Sequence, residues 1–122
     1  MNLSDYVIKT LGDHGIDKAF VVYGSACGNL IDSFVRIKNI EYVAVMHEQG
    51  AGFMAEGWAK IKGKPGVAIA TSGPGGMNLV TPIGNCFYDS VPTLFLVGQV
   101  NSRFLRPDPS IRQIGFQETD IV

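Results

Sequence analysis

Several features that often reveal what a protein does are scarce in this 122-residue sequence. Its two cysteines, Cys27 and Cys86, are too few for a disulfide framework and lack the paired spacing of a zinc site. Ten Lys and Arg oppose eleven Asp and Glu, so the net charge of -1 leaves no basic excess for a nucleic-acid backbone. No apolar run reaches the roughly eighteen residues of a membrane span, and no basic segment precedes an apolar one at the start. We therefore predict a cytoplasmic protein with neither nucleic acid nor membrane as a partner, and we assign both cysteines to the core.

What is present fits one globular domain that is rich in glycine. The chain is 46% apolar and 17% charged, and a chain of this length buries about two-thirds of its surface when it folds. Fifteen residues are glycine, well above the average share of about 7%. Many of them follow apolar runs, so their positions help to locate the ends of the secondary-structure elements.

Helical and strand-like patterns alternate four times along the chain. Short runs rich in β-branched and aromatic residues predict strands over 18–23, 40–46, 66–71 and 93–97. Apolar residues at helical spacing predict helices over 3–11, 29–38, 48–62 and 78–89. Ser4 is expected to cap the first helix, Gly15 and Gly63 to end the first and third, and Pro82 is unfavourable early in the fourth. Because parallel strands need crossover connections, the sequence predicts an α/β fold with helices on both faces of a parallel sheet.

The residues just after each strand are the candidate site, because ligands of open parallel sheets bind outside the carboxyl ends of the strands. Three of these segments contain glycine, which permits close approach of a ligand, and the fourth supplies Glu48. A carboxylate at a helix N-terminus gains a few tenths to about 1 kcal/mol from the helix dipole, which explains many such residues without any chemistry. Beyond Gln99 the alternation stops, and residues 101–114, with two prolines, predict an ordered excursion or a loop.

Two features favour a chemical role for Glu48. Its helix contains Gly50, Gly52 and Gly57, each of which costs about 1 kcal/mol in a helix interior, so we expect close packing against another backbone or subunit. An acid between a buried strand and a buried helix face is also partly desolvated, which suits it to proton transfer near neutral pH. His47 is the second candidate, although a single histidine is more often a hydrogen-bonded structural residue.

The glycine-rich segment Ser72-Gly-Pro-Gly-Gly76 precedes the fourth predicted helix. Such a turn presents free amides that suit a phosphate group. It lacks both the Lys-Ser/Thr pair of a P-loop and the Gly-x-Gly-x-x-Gly fingerprint. From the residues alone, a phosphate-binding loop and a tight strand-to-helix turn both remain open.

Six motifs occur together in a recognisable order. They are His47-Glu-Gln-Gly-Ala51, Ala70-Thr-Ser-Gly-Pro-Gly75, Asn78-Leu-Val-Thr81, Asp89-Ser-Val-Pro92, Gly98-Gln-Val100 and Gly115-Phe-Gln-Glu-Thr-Asp120. From about Gly24 onward the chain resembles the N-terminal, pyrimidine-binding domain of thiamine diphosphate enzymes of the acetolactate synthase type.

The resemblance implies a role for each matching residue. Glu48 is the implied catalytic residue, which hydrogen-bonds N1′ of the cofactor's aminopyrimidine and so promotes removal of the thiazolium C2 proton. The other implied cofactor-binding residues are Gly24, Ser25, Gly73, Gly75 and Asn78. Phe116 and Gln117 are implied to face the substrate, a 2-oxo acid that is decarboxylated and joined to a second molecule. The family also implies a homodimer or higher oligomer, with the cofactor between subunits.

The chain departs from the family in three ways. The Gly-Asp-Gly motif of the separate domain that holds the diphosphate and Mg²⁺ does not occur, so we expect the chain to be inactive alone. The family's pyrimidine-binding domain has further strands and a helix after the Gln-Glu-Thr-Asp segment, so we expect residues 1–122 to be an incomplete pyrimidine-binding domain. Ser25-Ala-Cys27 stands where acetolactate synthases usually show Pro-Gly-Gly, which leaves the substrate open. The alternatives are a thiamine diphosphate decarboxylase acting on sulfopyruvate, benzoylformate or oxalyl-CoA, a flavodoxin-like module that binds a nucleotide, and a chain with only an interaction role.

Overall fold

The computed structural model describes residues 1–118, so Thr119 and Asp120 of the last motif lie outside the described residues. Its four parallel strands are β1 (Lys18–Val21), β2 (Glu41–Ala44), β3 (Gly66–Ala70) and β4 (Thr93–Val97). They lie in the order β2-β1-β3-β4. In this register Val21 pairs with Ala44 on one side and with Ile69 on the other, and Ala70 pairs with Val97. The predicted parallel sheet is confirmed, and all four carboxyl ends meet at one edge of it.

Five helices connect and cover these strands. They are α1 (Leu3–Asp13), α2 (Gly28–Ile37), α3 (Glu48–Lys62), α4 (Pro74–Asn78) and α5 (Val80–Tyr88), with 3-10 turns at Ser25–Cys27 and Ser102–Phe104. α1 packs on α2, whereas α3 packs on α4 and α5. Among residues 1–118, no helix combines the length and the apolar character needed to cross a membrane.

The two central strands, β1 and β3, are buried on both faces and send alternate side chains into two apolar clusters. Val21 and Ile69 lie in a cluster with Ile8 of α1. Ala68 lies in the opposite cluster, with Ala55 of α3. This alternation follows from the two-residue period of a strand, and it confirms that helices cover both faces of the sheet.

The ends of the first and third helices test the predicted caps. Asn2, rather than the predicted Ser4, caps α1, because its Oδ1 accepts a hydrogen bond from the amide of Asp5 at 2.8 Å. Ser4 already lies inside the helix. Gly15 (φ 79°) and Gly63 (φ 63°) have left-handed backbone where the helices end, as predicted. The two cysteines are buried and unpaired, which confirms their assignment to the core.

The predicted helix over 78–89 is two helices, and the segment before it is helical from Pro74 onward. Gly73 has φ 60°, which glycine adopts at little cost, and Pro74 follows in the first turn of α4, where its missing N–H has no intrahelical partner. Leu79 separates α4 from α5, and Pro82 is the third residue of α5. Since the first turn leaves its amides unpaired in any case, Pro82 is compatible with the helix.

The three glycines of α3 behave differently from one another. Gly52 packs against α5, because a Cβ atom there would lie 2.3 Å from Cγ of Pro82. No atom would lie within 4 Å of a Cβ at Gly50 or Gly57. Gly52 thus packs closely against a side chain of α5 rather than against another backbone, and contacts among the described residues do not explain the other two.

Candidate active site

Glu48 is the first residue of α3 and directly follows the loop after β2. Its carboxylate is half-buried, and Nδ2 of Asn78 donates a hydrogen bond to its Oε2 at 2.9 Å. Asn78 ends α4, so the contact joins the segments that follow two different strands. This hydrogen bond fixes the orientation of the Glu48 carboxyl group.

The second oxygen of Glu48 faces a space that a glycine keeps open. A Cβ atom at Gly75 would lie 3.4 Å from Oε1 of Glu48 and 2.7 Å from Cγ2 of Thr71. Among residues 1–118 no group donates a hydrogen bond to Oε1. Held through one oxygen, the carboxyl group can therefore share a proton with a ligand nitrogen through the other. We call Glu48, Gly75 and Asn78 the Glu48 corner.

His47 has a structural role. Its Nδ1 accepts a hydrogen bond from the amide of Gln49 at 3.1 Å, and its ring is exposed. This bond caps the N-terminus of α3 and satisfies one of its free amides. Of the two candidates after β2, only Glu48 points toward the elements that follow another strand.

Thr71 makes the central contacts between these segments, and the sequence did not indicate this role. A Cβ atom at Gly24 would lie 2.3 Å from Cβ of Thr71, so the backbone after β1 approaches this side chain closely. Thr71 Oγ1 also accepts a hydrogen bond from the amide of Ala26 at 3.3 Å. The sequence pattern placed Thr71 inside β3, whereas it is the first residue beyond the strand. It connects Gly24 with Gly75, two of the predicted cofactor-binding residues.

Gly73 connects the glycine loop to the last described segment. A Cβ atom there would lie 2.7 Å from the carbonyl oxygen of Gln117, which itself has φ 58°. The backbone of Gln117 therefore lies against the loop that follows β3. Gly73 and Gln117, predicted on opposite sides of the site, are in direct contact.

A cleft of about 600 Å³ lies beside this edge of the sheet. Ser25 and Phe116, both predicted site residues, line it together with Ser72. Its other lining residues are Ala26, Asn29, Gln99, Val100, Asn101, Phe104, Ile114 and Gly115, so no charged side chain among residues 1–118 lines it. Glu48, Gly75 and Asn78 do not line it. The structure thus divides the predicted site into the Glu48 corner and the cleft, with Thr71 and Ser72 between them.

The described part of the chain shows no group of three histidine, cysteine, aspartate or glutamate residues placed to hold a metal ion.

The family comparison agrees with this geometry. The model of the family described as "Thiamine pyrophosphate enzyme, N-terminal TPP binding domain" matches residues 1–122. The chain belongs to this family. The motifs on which the resemblance rests thus belong to a domain that binds thiamine diphosphate (TPP). Glu48 lies at the carboxyl edge of the sheet of this domain.

Curated relatives of this TPP-binding domain are acetolactate synthases. The chain is 40% identical over 119 residues to "Acetolactate synthase 2, chloroplastic" of Brassica napus, covering 98% of the chain and 18% of the relative. It is 42% identical over 115 residues to the acetolactate synthase large subunit of Corynebacterium glutamicum (94% and 17%). For the mitochondrial acetolactate synthase catalytic subunit of Saccharomyces cerevisiae, the identity is 41% over 114 residues (93% and 16%). The chain spans less than a fifth of each relative.

Two buried acids of the TPP-binding domain were not predicted. Glu56, 4% exposed, accepts hydrogen bonds from Nδ2 of Asn85 at 2.9 Å and from Lys60, and the bond to Lys60 is the main cause that holds its pKa below the ordinary value. In the sequence, the burial of Glu56 is indicated only weakly, by the presence of Lys60 four residues later. Glu118, 8% exposed, accepts only backbone amides among the described residues, and no residue pattern encodes such donors.

Proposed function

We propose that this chain is the pyrimidine-binding part of a TPP-dependent enzyme that acts on 2-oxo acids by acetolactate synthase-like carboligation. The observation that supports this proposal most directly concerns the carboxyl group of Glu48. This group is half-buried, its Oε2 accepts a hydrogen bond from Asn78, and its Oε1 faces the space beside Gly75. Bound TPP supplies the electron sink for decarboxylation and carbon–carbon bond formation. The residues of this chain bind and orient its pyrimidine ring and exchange a proton with it.

Glu48 is the proposed catalytic residue. Asn78 occupies one carboxyl oxygen and so leaves a single direction in which the group can meet a ring nitrogen. Glu48 is the first residue of α3, a position that acidic residues favour. A hydrogen bond from Oε1 to N1′ would hold the proton that the cofactor needs to exchange.

The other residues have proposed roles in binding. Gly24 and Gly75 both pack closely against the side chain of Thr71, which brings together the segments after β1 and β3 where we place the pyrimidine ring. Gly73 shapes the loop, and Ser25 is assigned with Gly24 to the pyrimidine ring. Phe116 and Gln117 are assigned to the substrate side, which we place at the cleft that Phe116 lines.

The negative charges of the substrate and of the diphosphate must be neutralised by groups other than the side chains that line the cleft. Since none of the charged side chains that the structure describes lines the cleft, backbone amides or groups outside residues 1–118 would neutralise a 2-oxo acid carboxylate. We likewise assign the diphosphate and Mg²⁺ to another domain. These assignments predict that the 122-residue chain alone does not turn over substrate. A cytoplasmic location stays a prediction from composition.

We also propose that α3 and α5 pack against a second copy of the chain. Gly50 and Gly57 face open space on α3, beside the exposed Phe53, and the exposed Phe87 and Tyr88 end α5. A helix that is apolar on its outer face as well as its inner one is normally buried. Sedimentation velocity is expected to show association that Gly57→Arg weakens, whereas a wild-type chain that stays monomeric at all concentrations contradicts the proposal.

Substitution of Glu48 in the complete enzyme tests the proposed role. Glu48→Gln keeps the size of the side chain but removes the acid, so kcat is expected to fall by about 10² to 10⁴. His47→Asn is the matched control, because asparagine also caps a helix, and it is expected to leave kcat nearly unchanged. An unchanged kcat in Glu48→Gln would remove the assignment.

A TPP-dependent decarboxylase is the second candidate. The observation in its favour is the segment Ser25–Cys27, which forms a 3-10 turn and brings Ser25 to the cleft where acetolactate synthases usually have Pro-Gly-Gly. Product analysis with pyruvate separates the two candidates, since acetolactate indicates carboligation and a released aldehyde indicates decarboxylation alone.

A further inference from the structure

The outer wall of the cleft is formed by a segment with little regular structure. Residues 101–118, which we call the strap, contain only the short 3-10 turn Ser102–Phe104. Phe104, Ile114 and Phe116 of the strap line the cleft. No strap residue belongs to either apolar cluster of the sheet, so packing in the core does not determine the path of the strap.

Glu118 holds the strap from within. Its Oε1 accepts a hydrogen bond from the amide of Arg106 at 2.7 Å. Its Oε2 accepts from the amides of Ile114 at 3.1 Å and Gly115 at 3.3 Å. A buried carboxylate is costly unless hydrogen bonds replace its water, and here backbone amides from two separate parts of the strap do so. The strap therefore closes into a loop around one side chain.

Two close contacts hold residues 115–117 of the strap against the segments that follow β3 and β4. A Cβ atom at Gly115 would lie 2.8 Å from Cγ2 of Val100, just after β4. The Gln117 carbonyl meets Gly73, just after β3. Phe116 lies between these two contacts and is 81% exposed, so its position depends on the backbone on either side of it.

We propose that Glu118 is a positioning residue for the cleft: its carboxylate sets where Ile114 and Phe116 stand and thereby which 2-oxo acid side chains the cleft accepts. The proposal rests on the proposed function, since it takes the cleft as the substrate side. The amides, that of Arg106 first, also hold the pKa of Glu118 below its ordinary value, so the group stays an acceptor near neutral pH.

Substitution of Glu118 by Gln tests the proposal with two readouts. Glutamine has the same size but presents an NH₂ group, so it cannot accept from all three amides. In the 122-residue chain, hydrogen exchange of the Arg106, Ile114 and Gly115 amides is expected to accelerate about tenfold or more, while β3 amides stay protected. In the complete enzyme, KM for a 2-oxo acid is expected to rise about tenfold and the preference between small and bulky acids to change. Both kcat and TPP affinity are expected to stay within about twofold.

Asp108→Asn is the matched control, because it is also an acid-to-amide change in the strap. Asp108 is exposed, accepts from the amide of Ser110 and does not line the cleft. It is expected to leave the three amides and KM unchanged.

Three results would overturn the proposal. They are unchanged exchange at the three amides, accelerated exchange that extends to β3, and accelerated strap exchange with unaltered KM and preference. A complete enzyme that does not use 2-oxo acids would instead refute the proposed function, and the exchange measurement would still report whether Glu118 holds the strap.

Discussion

Gly75 shows how the site depends on the absence of a side chain. A Cβ atom there would contact the Thr71 methyl group at 2.7 Å and narrow the space before Oε1 of Glu48. Gly75→Ala is therefore expected to destabilise the chain by about 1–3 kcal/mol, as overpacking typically does. Urea unfolding of the 122-residue chain measures this change.

Gly84 provides the matched control for Gly75. It lies inside α5, and no atom would lie within 4 Å of an added Cβ. Gly84→Ala is expected to stabilise the chain by up to about 1 kcal/mol, because alanine favours the helix. Equal effects of the two substitutions would mean that the close approach at Gly75 is not needed.

Several site residues follow from the sequence and several do not. The place of Glu48 at the start of α3 was predictable, because an apolar run ends just before it and a helical pattern begins with it. The position of Thr71 just beyond β3 was not predictable, because the residue at which β3 ends depends on its pairing with β4. Glu118 was not, because its donors are amides of an irregular segment.

The backbones of β3 and α3 approach each other closely at Gly66. A Cβ atom at Gly66 would lie 2.0 Å from the carbonyl oxygen of Ala55, which is a backbone atom and cannot move aside. Gly66→Ala is therefore expected to cost about 3 kcal/mol. Gly57→Ala, on the outer face of α3, is expected to gain up to about 1 kcal/mol. Denaturant midpoints that shift equally for the two variants would contradict this packing.

The pairing of α1 with α2 includes a buried charge. Asp5 accepts hydrogen bonds from Nε and Nη2 of Arg36 at 2.9 and 2.8 Å and from Oγ of Ser33 at 2.8 Å. Arg36, the larger cause, and Ser33 hold the pKa of Asp5 below its ordinary value near 3.8. The carboxylate therefore stabilises the fold at any pH above about 4, and this contribution is lost as the pH falls through the lower, folded-state pKa.

Asp5→Asn tests this linkage. The difference in urea midpoint between wild type and variant is expected to stay constant from neutral pH to about pH 5 and to shrink at lower pH. A difference that does not change on acidification would show that the charge of Asp5 contributes nothing.

The element pattern was predictable in its order and less so at its ends. β1 and β3 are apolar on both sides because they are covered on both faces, so their runs are clear. Asn2 rather than Ser4 is the first cap because α1 begins at Leu3, the first residue of the apolar pattern, which places Ser4 inside the helix. α4 was missed because a five-residue helix has too few positions to show a period.

In the whole molecule, one edge of the sheet carries both the Glu48 corner and the cleft. Residues from the ends of different strands meet there because the strands are parallel, and no single segment contains the site. The face formed by α3 and α5 lies on one side of the same sheet and exposes apolar side chains. The proposed subunit contact would therefore form close to the elements that position Glu48.

The central claim is that the Glu48 carboxyl group exchanges a proton with the pyrimidine of bound TPP. The most direct measurement is the rate at which the C2 hydrogen of TPP, bound to the complete enzyme, exchanges with deuterium from the solvent. Glu48→Gln is expected to slow this exchange by about 10² to 10⁴ while TPP remains bound. An exchange rate equal to that of the wild type, with TPP bound in both, would contradict the account.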